Sequence, residues 1–121
     1  MKYALKVRSG AFTVNEKFES TVIKKLAEKA LENPRLKNEY NRIKKSMEIG
    51  TKPVDISRRS IVVPGSGGTK VLLKCGQGRY FVDFSEDQVT ILGISARSNR
   101  QDMITFKNLM NKLYDVKINY N

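Results

Sequence analysis

Five long cations fall on or beside stretches whose residue pattern makes them rigid: Lys70, Lys74, Arg79, Arg97 and Arg100. Clustered lysine and arginine suit a phosphate, because arginine keeps its charge and grips two non-bridging oxygens at once. A lysine crowded by other cations has its ammonium form disfavoured; its pKa falls, and the neutral amine becomes usable as a base. Cleavage of RNA by its own 2′-hydroxyl asks for such a base, for positive charge on the phosphorane, and for an acid at the leaving 5′-oxygen. The chain contains no histidine, so histidine-based triads and histidine–metal sites are excluded. The plain alternative is a set of surface cations that only keep the protein in solution.

The chain has 121 residues, enough for one domain spanning 1–121 and one core. Lys and Arg number 23 against 12 Asp and Glu, a formal charge of +11, and 40% of residues are apolar. Such a chain folds, and its natural partners are polyanions such as RNA, DNA or ribosomes. Cys75 is the single cysteine, which leaves no internal disulfide and no cysteine-rich zinc site. Glu86 and Asp87 sit together in a turn, where Asp is common for backbone reasons. We therefore expect no metal and no cofactor. No apolar run reaches the length of a membrane span, and Met1–Lys6 alternates charge with apolar residues, so a cytoplasmic protein with no membrane partner is expected. Gly65-Ser66-Gly67-Gly68-Thr69-Lys70 lacks the spacing of a nucleotide-phosphate loop and leads into a strand.

The elements that must carry these cations follow from periodicity. Residues 2–8 alternate as a half-buried strand. Asn15 can cap a helix carrying Phe18, Val22, Ile23, Leu26, Ala27, Ala30 and Leu31, and Pro34 opens a second with Leu36, Tyr40, Ile43 and Met47, stopped at Gly50. The mixed-charge outer face of these helices holds Lys44 and Lys45, near which few acids stand. A long loop over 51–69 carries Arg58 and Arg59. Strands over 70–75, 79–84 and 89–94 form a meander, and Asn99 caps a last helix with Met103, Phe106, Met110 and Leu113 facing inward. Val116, Ile118 and Tyr120 alternate as a further C-terminal strand. The order β-α-α-β-β-β-α implies an α+β fold with helices on one face of a mostly antiparallel sheet.

Register decides whether the cations meet. A two-residue turn at Gln77-Gly78 sets Lys74 opposite Phe81 and gathers Lys70, Lys74, Arg79 and Phe81 on one face; a three-residue turn carries Lys74 away from Arg79. In the first register an aromatic joins the cations, which suits a phosphate with a base stacked beside it. The segment Gly78-Arg79-Tyr80-Phe81-Val82-Asp83-Phe84 also partly matches the RRM signature, but three consecutive strands before the last helix disagree with that topology.

That segment, followed by Val89-Thr90-Ile91-Leu92-Gly93-Ile94-Ser95-Ala96-Arg97, with paired N-terminal helices and a basic meander, resembles the RelE/ParE superfamily of bacterial toxins. The likeness covers most of the chain as topology and residues 70–106 as motif. It implies a ribosome-dependent endoribonuclease acting on mRNA, needing no metal, and an acidic antitoxin protein as partner. By position it gives Lys70 or Lys74 the role of base and phosphate binder, Arg79 that of transition-state stabiliser, and Arg97 or Arg100 the scissile phosphate. Phe106 stands where the family often has a reactive tyrosine and could stack a base without transferring a proton. A non-cleaving protein, including a gyrase binder of ParE type or another regulatory factor, is the rival expectation.

Overall fold

The computed structural model describes residues 11–117, an α+β fold of three helices and a five-stranded mixed sheet. The strands are β1 (Thr13–Glu16), β2 (Ile61–Val62), β3 (Lys70–Cys75), β4 (Gly78–Phe84) and β5 (Gln88–Ala96), in the spatial order β1-β5-β4-β3-β2. The helices are α1 (Thr21–Leu31), α2 (Pro34–Glu48) and α3 (Arg100–Leu113). Three strand pairings are antiparallel, and β1 runs parallel to β5, Thr13 beside Gln88 and Glu16 beside Ile91. The strand expected over 2–8 lies outside the described residues. Val116 is buried but in no strand, and the rest of the expected C-terminal strand falls outside the described residues except Lys117.

Several expectations need correction. Asn15 does not cap α1: it is paired with Thr90 inside β1, and Ser20 takes the cap, its Oγ accepting from Ile23 N at 3.2 Å. Sheet pairing of a short β-branched segment outweighs the local attraction of an Asn for a helix start. Nor do the helices share one face. Leu36, Tyr40, Ile43 and Met47 of α2 bury against Val71, Leu73, Tyr80 and Val82, whereas Phe106 and Met110 of α3 bury against Leu72 and Phe81. Adjacent residues of β3 and β4 point to opposite faces, and both faces are apolar, so both must be covered. α1 serves each side, with Ala27 and Ala30 in one cluster and Ile23 and Leu26 in the other.

The β3–β4 turn is formed by Gly76 and Gln77, one residue earlier than the two-residue turn read from sequence, so Cys75 faces Gly78 and Lys74 faces Arg79. Gly76 has φ +33°, the left-handed start that two-residue hairpin turns need. Its position is also fixed from behind. Glu39 of α2 accepts from Gln77 N at 3.1 Å, from Gly78 N at 3.0 Å and from the Tyr80 hydroxyl at 2.6 Å. The Tyr80 ring stacks on Tyr40 at 5.7 Å, and Tyr40 in turn donates to Glu16. A Cβ on Gly78 would stand 2.3 Å from the Tyr80 hydroxyl. Gly78→Ala is accordingly expected to lower stability by about 1–3 kcal/mol through overpacking. A urea midpoint unchanged in that variant would show that Tyr80 can move aside.

β5 carries a bulge. Val82 pairs with Ile91, but Phe81 pairs with Gly93, so Leu92 is an extra residue against β4. Beyond it, Gly93 faces Phe81 and Ser95 faces Arg79, so both share the side of Lys74 and Arg79. Gly93 opens room on that side: a Cβ there would come within 2.8 Å of Phe106 and 3.0 Å of the Met110 sulfur.

Candidate functional site

Four cations converge where β3, β4 and β5 end and the 51–60 segment crosses them. Lys74 and Arg79 face each other across adjacent strands on the α3 side and are 6% and 4% exposed. Two exposed arginines accompany them. Arg59 acts on both as a neighbouring charge, and Arg97 acts on Arg79. Each is delivered by backbone hydrogen bonding. Ser57 Oγ donates to the carbonyl of Lys74 at 2.9 Å and accepts from Arg59 N at 3.2 Å, which pins the loop to β3 and turns it beside Lys74. Arg97 N donates to the carbonyl of Gln77 at 2.8 Å, tying the exit of β5 to the hairpin.

Burial and like charge have the expected electrostatic effect. Burial first, then Arg79, then Arg59, lower the pKa of Lys74 below the ordinary lysine value of 10.5. Burial, Arg59 and Arg97 press in the same direction on Arg79, with Cys75 and Glu39 opposing; an arginine nevertheless keeps its proton. Arg79 Nη1 donates to the carbonyl of Gly78 at 2.9 Å, while Arg79 Nε and the hydroxyl of Ser95, its partner across β4 and β5, make no hydrogen bond among the described residues. Buried donors left over beside an excess of positive charge are what the oxygens of an anion satisfy.

Other expected residues are placed elsewhere. Lys70 shares the face of Lys74 but stands four residues along β3, about 13 Å away at strand rise. It is engaged there, 3.6 Å from Asp83 and 5.7 Å from the centre of the Tyr114 ring. Arg100 opens α3 and Arg58 lies in the loop, both exposed and neither among the charges that act on Lys74 or Arg79. Phe81 and Phe106 have no exposed surface, so the base-stacking role expected of them is overturned: both are core, Phe106 under Gly93 and Phe81 against Leu72 and Tyr114. Lys44 lies over the Tyr40 ring at 4.5 Å on α2, across the sheet from Lys74, and Lys45 is exposed on the same helix.

Tyr114 belongs with Lys70. Its hydroxyl is buried without a partner among the described residues, and burial, with Glu19 and Asp83 nearby, pushes its pKa up to about 12. Recesses among the described residues lie away from Lys74 and Arg79: one of about 680 Å³ between Pro64-Gly65 and the end of α3, one of about 430 Å³ between α2 and the 51–56 segment, and one of about 570 Å³ where α1 meets α2. Among the described residues no group of three or more Cys, Asp or Glu is placed to hold a metal, and no helix is long and apolar enough to cross a membrane.

No protein-family model, curated protein or solved structure matches the chain. Ser57, Ser95 and Glu39 were not expected from the sequence to serve the site. Ser57 had a signal, since a serine two residues before an arginine in a loop can fold back on the chain. Glu39 had none, as its partners, two backbone amides and the Tyr80 hydroxyl, lie 38 to 41 residues away.

Proposed function

We propose that this protein binds RNA through a phosphate seated on Lys74, Arg79, Arg59 and Arg97, and cleaves the chain there in the manner of RelE-like toxins acting on ribosome-bound mRNA. The observation that carries this reading is the buried Lys74–Arg79 pair with two further arginines close by: it supports an anion site beside a lysine whose pKa burial and like charge lower. In the proposed step neutral Lys74 takes the proton of the 2′-hydroxyl. The 2′-oxygen attacks phosphorus, Arg79 and its neighbours hold the non-bridging oxygens, and the 5′-oxygen leaves with a proton from solvent water. The products are a 2′,3′-cyclic phosphate and a 5′-hydroxyl. An acidic antitoxin protein would cover the same cations.

A second reading, binding without cleavage, is favoured by one observation: Tyr114 is grouped with Lys70 and Asp83 instead of with Lys74 and Arg79. Purified protein incubated with translating ribosomes, followed by mapping of mRNA 5′ ends, separates the two. New ends bearing 5′-hydroxyls are expected; salt-dependent binding with no new ends supports the second reading. The lowered pKa of Lys74 adds a sign. As pH rises through the range where Lys74 loses its proton, affinity for RNA should fall while cleavage of the bound RNA speeds up, since charge is lost and base gained. Affinity and rate moving together would exclude Lys74 as the titrating base.

A further inference from the structure

We propose that Glu39, on the far side of the sheet from the cations, is the positioning residue that holds Arg79 in place for its phosphate; this rests on the anion-binding part of the reading above. The connection is short. Glu39 fixes the amide of Gly78 at 3.0 Å and that of Gln77 at 3.1 Å, and the carbonyl of Gly78 accepts from Arg79 Nη1 at 2.9 Å. The carboxylate and the guanidinium thus bind the two ends of a single residue, Gly78, through its N–H and its carbonyl. Tyr80, the residue after Arg79, is held by the same carboxylate at 2.6 Å. The carbonyl of Gln77 accepts from Arg97 N at 2.8 Å, so a second cation of the cluster hangs on the same turn. The turn is built around this acid: a Cβ on Gly76 would stand 2.3 Å from Glu39 Oε2.

Charge alone and positioning predict opposite outcomes, which makes the proposal testable. Glu39 is a negative group whose field reaches Arg79, so removing it should, by Coulomb attraction alone, tighten binding of a polyanion. If instead Glu39 acts by holding the turn, Glu39→Ala loosens Arg79 and weakens binding.

The probe is a fluorescent single-stranded RNA of about ten nucleotides, its anisotropy titrated at several salt concentrations below the melting temperature of each variant. We expect Glu39→Ala, like Arg79→Ala, to bind about tenfold more weakly and to lose roughly one phosphate contact from the salt dependence. Glu39→Gln removes the charge but keeps an acceptor for the Gly78 amide, and should recover most of the affinity. Glu39→Asp keeps the charge but falls about 1.5 Å short, one carbon–carbon bond, and should bind weakly like the alanine variant. It stands in if Glu39→Ala does not fold. Tighter or unchanged binding by Glu39→Ala or Glu39→Asp, with Arg79→Ala weakened, overturns the positioning role alone. Unchanged binding by Arg79→Ala overturns the anion site itself.

Discussion

Lys74→Ala is expected to cut RNA cleavage on ribosomes by about 10²- to 10⁴-fold, the usual contribution of a positioned general base. Primer extension on a translated message, with initial rates compared at saturating protein, measures it. The size follows from the position of Lys74: almost fully buried, facing Arg79 and within the field of Arg59. Lys74→Arg keeps the charge and should bind RNA almost as well, but a guanidinium cannot accept the proton and cleavage should stay low. Stability sharpens the test. The melting temperature of each variant, compared with that of the parent, shows whether the fold is intact. A drop in cleavage with an intact fold is then a loss of chemistry. Cleavage at the wild-type rate in Lys74→Ala would remove Lys74 from the mechanism.

Phe106→Ala has the largest expected effect on stability, a loss of about 3–5 kcal/mol read from urea unfolding. Phe106 has no exposed surface, packs with Met110 against Phe81 and Leu72, and fills the space that Gly93 leaves open. RNA affinity of the folded variant should be that of the parent. A base-stacking residue would behave the other way, losing about 1–3 kcal/mol of binding with little change in stability. That outcome would return Phe106 to the interface and contradict its burial.

The sequence carried the local signals well and the long-range ones poorly. Pro34, Asn99 and the three-to-four spacing of Leu36, Tyr40, Ile43 and Met47 mark α2 and α3 because cap and stripe are set by neighbours in the chain. Ser20 was missed, since Asn15 offers an equally good cap until β5 claims its backbone. Register was the harder loss. A glycine at both 76 and 78 allows several turns, and the contacts that hold the one setting Lys74 against Arg79, Glu39 from α2 and Arg97 from the end of β5, come from far along the chain. The aromatic residues misled for a related reason: in strands covered on both faces, alternation does not tell a stacking platform from core.

The extra residue Leu92 lets the two ends of β5 obey different rules. Before it, Val89 and Ile91 belong to the α2 side; after it, Ser95 belongs with Arg79, and Ile94 rejoins Val89 and Ile91 in the α2-side cluster. Pairing without the offset would set Ile94 against Arg79 and send Ser95 and Arg97 to the tyrosine side. Losing one codon in the middle of this strand would thus dismantle the cationic cluster while every cation remained in the gene. Relatives of this chain are best compared by the length of that strand before the identity of any charged residue.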